Sequence, residues 1–246
     1  MNGFLIGLLL VVVGFWAGVQ NALAGGGSFV TFPALLLAGM DARAANITST
    51  VALFPGQVAT GIAGRSLVSG VGRLPFWVLA AISVVGGVVG AVLLLATPES
   101  VFSMLVPWLV LFATAVFAWG TFRRAPAVAA GMPAWGSALA QFLIAIYGGY
   151  FGGGIGILMI AALTLAGLDV RRAGGTKNVL SAAMNLSAVA IFAFSPEVHW
   201  VPAVAVGVGA IAGGQVGAWA LKRVTDRALR LAVIVLGLAL TVGLFW

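Results

Sequence analysis

Gly25-Gly26-Gly27-Ser28-Phe29-Val30-Thr31-Phe32-Pro33 opens a stretch that closes at Asp41-Ala42-Arg43. Gly152-Gly153-Gly154-Ile155-Gly156-Ile157 opens a second that closes at Asp169-Val170-Arg171. Each is a glycine triplet, a short apolar run, then an acid followed by a base. The glycines repeat at an offset of 127, as do Pro75 and Pro202, Gly86-Gly87 with Gly90 and Gly213-Gly214 with Gly217, Glu99 and Asp226, and Trp119 and Trp246. Asp41 and Arg43 meet Asp169 and Arg171 at 128, a one-residue indel. A duplicated, glycine-broken, apolar chain is the layout of secondary transporters, whose substrate site lies between two halves.

Composition confines the chain to a membrane. Of 246 residues, 62% are apolar and 7% charged, and mean hydropathy is +1.18. That charge cannot cover the surface of a soluble domain. The 35 glycines and 8 tryptophans suit close helix packing and interfacial anchoring. The alternating strands of a membrane β-barrel are missing, so helices do the crossing. The net charge of +7 reads as a topology signal, not a nucleic-acid surface, because Lys and Arg sit at the ends of apolar segments. With no cysteine there is no disulfide framework and no thiolate chemistry. The apolar start Met1-Asn2-Gly3-Phe4-Leu5 lacks a basic leader region and reads as a first helix.

Apolar segments run over about 4–23, 28–40, 44–64, 74–96 and 101–121, and again over about 130–151, 155–168, 176–194, 201–221 and 230–246. Most reach the ~20 residues that span hydrocarbon. The two that follow the glycine triplets are too short and read as half-length or re-entrant helices. If each bent into its predecessor, the twelve Lys and Arg would divide eight against four across the membrane. If the glycines reverse the chain, Arg43 stands alone on one side and eleven basic residues share the other. The second division obeys the positive-inside rule far better. The chain therefore reads as an all-α polytopic membrane protein of two inverted repeats, each of about five helical elements including a Gly-broken half-helix. Residues 1–122 form the first repeat, 123–129 a short cytoplasmic linker and 130–246 the second.

Chemistry gathers where these elements meet. Gly25, Gly26 and Gly27, and Gly152, Gly153 and Gly154, permit tight turns that leave the next helix's first N–H groups unpaired. Such an end attracts an anion, and Ser28 adds a hydroxyl. Thr48, Thr50, Thr176 and Asn178 place further donors near a membrane boundary. Lys177 lies beyond Arg171 and Arg172 in an apolar segment, where a cation is costly unless it faces a cavity; the bland alternative is a stem that snorkels to the surface. Gln57 and Asn185 stand deeper, at matching positions, and would contact substrate or bridge helices. Gln20, Asn21 and Tyr147 precede the triplets and could line the same crevice. The bland readings are that Asp41 and Asp169 cap helices, that Arg43 pairs with Asp41, and that the paired Gly-Gly-x-x-Gly motifs pack helices.

No acid falls in mid-segment, there is no Walker-type loop, and no cluster has metal-ligand spacing. A proton relay through an embedded carboxylate, ATP hydrolysis, a cofactor and enzymatic catalysis are not expected.

The Gly25–Thr50 run, the weaker second copy from Tyr147 through Asn178, and the whole-chain duplication resemble the TauE/SafE sulfite-exporter family. The resemblance implies a multi-pass bacterial inner-membrane permease for sulfite, sulfoacetate or other organosulfur or small organic anions. It does not choose the substrate, and Gly174-Gly175 in place of Asn46-Ile47 implies that the halves contribute unequally. The expected function is a secondary carrier of a small sulfur-containing oxyanion, with Lys177 or Arg171 as counter-charge and a proton or sodium as the candidate coupling ion. Alternatives are a passive anion channel, a carrier of non-sulfur organic anions, and a non-transporting subunit that docks a partner.

Overall fold

The structure, a computed structural model, describes residues 3–23, 26–122, 132–220, 234–235, 238–239 and 241–244. Helices α1 (Gly3–Leu23), α2 (Ser28–Leu37), α3 (Ala42–Gly64), α4 (Phe76–Ala96) and α5 (Glu99–Phe122) build the first half. Helices α6 (Ala134–Tyr150), α7 (Ile155–Leu165), α8 (Val170–Phe192) and α9 (Trp200–Ala220) repeat the order in the second. Four of them, α1, α4, α5 and α9, are long and apolar enough to cross a membrane. The half-helices α2 and α7 have 10 and 11 residues, about 15–17 Å at 1.5 Å per residue, which is half of a hydrocarbon core. The chain is an all-α polytopic membrane protein.

The chain doubles back at both glycine segments. A Cβ on Gly27 would press on the carbonyl of Ala17, ten positions earlier, so α2 begins beside the last turns of α1. In the second copy Gly152 and Gly154 take φ of 77° and 73°, a left-handed conformation that a side chain would strain. Asp41 and Asp169 then cap the next helices, accepting from Ala44 N–H at 2.8 Å and from Arg171 and Arg172 N–H at 3.1 and 3.0 Å. Capping by Asp169 starts α8 six residues before the apolar run that marks it in sequence, so Arg171, Arg172, Gly174 and Gly175 are helical.

Packing follows the glycines. Gly213 and Gly217 lie against the backbone of Phe15 and Val19 on α1, and Gly90 against Ile146 and Tyr150 on α6. Two helices in lipid gain no hydrophobic force from each other, so this close approach supplies the van der Waals contact that holds them. The pairings exchange between halves: α1 lies on α9 as α6 lies on α4, α3 on α9 as α8 on α4, and α3 and α8 meet each other.

Candidate functional site

Between the starts of α2 and α7 and the facing sides of α3 and α8 lies a cavity of about 30 Å³. That is room for two or three waters. Its lining includes Gly26, Ser28, Gln57, Gly152, Lys177 and Asn178, all predicted from sequence, with Asn21, Thr60, Ile155, Gly156 and Ser181 beside them. Lys177 sits in the second turn of α8 at only 7% exposure. It has no ion pair and no hydrogen-bond partner among the described residues, so it does not snorkel to the surface. The N–H groups of Ser28, Ile155 and Gly156 likewise have no acceptor among the described residues. Two open helix starts and one buried ammonium thus converge on a small space without a carboxylate among its lining residues. Such a constellation stabilises negative charge.

Residues ahead of the triplets fix this geometry. Gln20 Nε2 donates to the Gly26 carbonyl at 2.8 Å, Asn21 Oδ1 accepts from Gly27 N–H at 2.7 Å, and Tyr147 Oη donates to the Gly153 carbonyl at 2.9 Å. Of the three, only Asn21 lines the cavity. Gly27, Gly153 and Gly154 shape the turns without lining it, and Gly25 lies outside the described residues. Asn185 stands behind Gln57 and donates its Nδ2 to Gln57 Oε1.

The other hydroxyl candidates are elsewhere. Thr48 is fully buried and accepts from His199 N–H at 3.1 Å, while its hydroxyl donates to the Glu197 carbonyl at 3.4 Å. Thr176, also fully buried, accepts from Ser69 N–H at 3.0 Å. Each thus seats the loop of the opposite half. Thr50 donates back to the Asn46 carbonyl at 2.9 Å. Arg171 is exposed and does not line the cavity, so Lys177 is the cation among its lining residues. Arg43 does not pair with Asp41: its guanidinium forks onto both oxygens of Glu197 and donates to the Thr97 carbonyl at 2.7 Å. No local pattern in sequence links Arg43 to a residue 154 positions away.

Thr60, Ser181 and Gly156 escaped sequence reasoning. Thr60 and Ser181 lie one helical turn from Gln57 and Lys177, and that spacing was the available signal.

The model of the family described as sulfite exporter TauE/SafE matches residues 10–244. The chain belongs to the TauE/SafE family. A probable membrane transporter protein of Sinorhizobium is 30% identical over 246 residues, covering 96% of this chain and 90% of that protein. A probable membrane transporter protein of Haemophilus influenzae is 26% identical, covering 95% and 92%. The probable membrane transporter protein YfcA of Escherichia coli is 25% identical, covering 100% and 91%. The chain is a membrane transporter, and its cavity lies at the junction of its two halves.

Proposed function

We propose that this TauE/SafE protein is a secondary carrier for a small sulfur-containing oxyanion such as sulfite or a sulfonate, in a bacterial inner membrane. The observation that carries the reading is Lys177, buried and without a partner among the described residues, beside the open N–H groups of α2 and α7. An unpaired buried cation is costly, and a bound oxyanion offsets that cost while accepting the free N–H bonds. The substrate's sulfur comes from the family description alone.

With the two repeats inverted, as the positive-inside rule favours, eleven of the twelve basic residues would face the cytoplasm, and the cavity would then lie toward that side. It lies near the ends where α3 stops and α8 starts. The opposite end is tied by Arg43, Glu197 and Thr97 and by Asn46 Nδ2 donating to the Tyr150 carbonyl at 3.0 Å. Release of those ties, with closure around the cavity, would expose the site to the other side in turn.

The test is flux of sulfite, sulfoacetate, taurine, thiosulfate and small carboxylates into proteoliposomes containing the purified protein. Saturable flux of a sulfur oxyanion, abolished by Lys177→Ala, supports the carrier. Ohmic, non-saturating current would favour a channel, and preference for carboxylates would move the substrate outside sulfur chemistry.

A further inference from the structure

Three amides line the cavity, and two of them, Asn21 and Gln57, are held from behind in the same sense. Asn21 Oδ1 accepts from Gly27 N–H at 2.7 Å, and Gln57 Oε1 accepts from Asn185 Nδ2. Each carbonyl oxygen is engaged, so the NH2 group is the free end of each side chain. Neither amide nitrogen has a partner among the described residues, and neither is sealed from open space. Asn185 Oδ1, by contrast, is buried with no partner among the described residues. The Gln57–Asn185 pair therefore forfeits one hydrogen bond while keeping the orientation of Gln57.

Donors consequently dominate the cavity: both NH2 groups, the Lys177 ammonium and the N–H groups of Ser28, Ile155 and Gly156. Thr60 directs its hydroxyl proton to the Gln57 backbone carbonyl at 2.9 Å and Ser181 to Met159 Sδ at 3.3 Å, which leaves their oxygens as acceptors. The Ser28 hydroxyl and the Asn178 amide have no partner among the described residues. No carboxylate contributes.

We infer that this cavity selects oxyanion headgroups that carry only acceptors, such as sulfonate or sulfite, over isosteric anions that bear an O–H. In this scheme Asn21 and Gln57 determine specificity, with Asn185 positioning Gln57. The inference rests on the anion site proposed above and adds to it a rule for choosing among anions. A ligand O–H that meets a fixed N–H cannot donate, and it loses the bond it made to water. Sites whose polar groups are fixed against a ligand reject it far more strongly than apolar pockets do.

The probes are methanesulfonate and methylphosphonate, in mildly acidic buffer where the latter is a singly charged ion with one O–H. They share charge and shape and differ in that proton. Calorimetric titration of the purified full chain is expected to show methanesulfonate binding about tenfold more tightly or better. Asn185→Ala frees Gln57 to turn its carbonyl inward and is expected to bring the ratio to within about threefold. Asn21→Asp keeps an acceptor for Gly27 and adds one to the cavity, so it is expected to favour methylphosphonate even if the first variant fails to fold. Equal binding of both ions by the native protein overturns the inference and leaves the anion site standing, as does a ratio unmoved by Asn21→Asp. Failure of both ions to bind overturns the site and this inference together.

Discussion

The first turns of α3 and α8 are the same structural idea carried out twice to different ends. In both, an aspartate caps the helix and a buried threonine seats a loop from the other half, Thr48 taking His199 and Thr176 taking Ser69. They diverge one residue later. Ser49 is buried and shares a 2.6 Å hydrogen bond with Thr31 on α2. Lys177, its counterpart, has no partner among the described residues and lines the cavity. The basic residues before them diverge too, with Arg43 tied to Glu197 and Thr97 and Arg171 left exposed. The two copies share a scaffold, but the first is tied by hydrogen bonds where the second presents a charge to the cavity.

The sharpest way to break this contrast is Lys177→Ser, which makes the second copy read like the first. Anion affinity is expected to fall by about 2–5 kcal/mol, roughly thirtyfold or more, in equilibrium binding, with an undiminished melting temperature. A loss of folding instead would show that Lys177 is structural.

Next come the glycine seams. A Cβ at Gly213 would collide with the Phe15 carbonyl and one at Gly90 with the Ile146 carbonyl, so Gly213→Ala and Gly90→Ala should each destabilise by about 1–3 kcal/mol. Thermal unfolding in detergent checks this, and a large difference between the two would refute the equivalence of the α1–α9 and α4–α6 pairs.

Arg43 and Glu197 should behave as a unit. A double-mutant cycle between Arg43→Ala and Glu197→Ala is expected to give a coupling of about 1–2 kcal/mol, since their side chains are only 20% and 22% exposed. Arg171→Ala should move stability by less than about 0.5 kcal/mol. The smallest matched pair is Thr48→Val and Thr176→Val, each expected to cost about 1 kcal/mol through the loop bonds its hydroxyl loses. Unequal losses would mean that the two seats are not equivalent.

The contrast also explains what could be read from the chain. Glycine triplets, half-helices and capping aspartates are local signals, and local signals sit in consecutive residues. The position of Lys177 could be read because a cation in an apolar run is conspicuous. The partners of Arg43, Thr48 and Thr176 could not, since each lies more than a hundred residues away or in another element's cap, and hydroxyl groups look alike whether they face substrate or seat a loop. The six-residue error at the start of α8 has the same origin: hydropathy marks where lipid begins, while Asp169 decides where the helix does.

Thr48 and Thr176 have one more consequence. Each half carries a plug for the other's socket: 193–199 fits the start of α3, and 65–73 fits the start of α8. Neither half is then a finished folding unit, and the peptide bond joining them contributes little beyond proximity. Two polypeptides cut between α5 and α6 and produced together should find one another in the membrane and copurify, whereas either alone should be degraded.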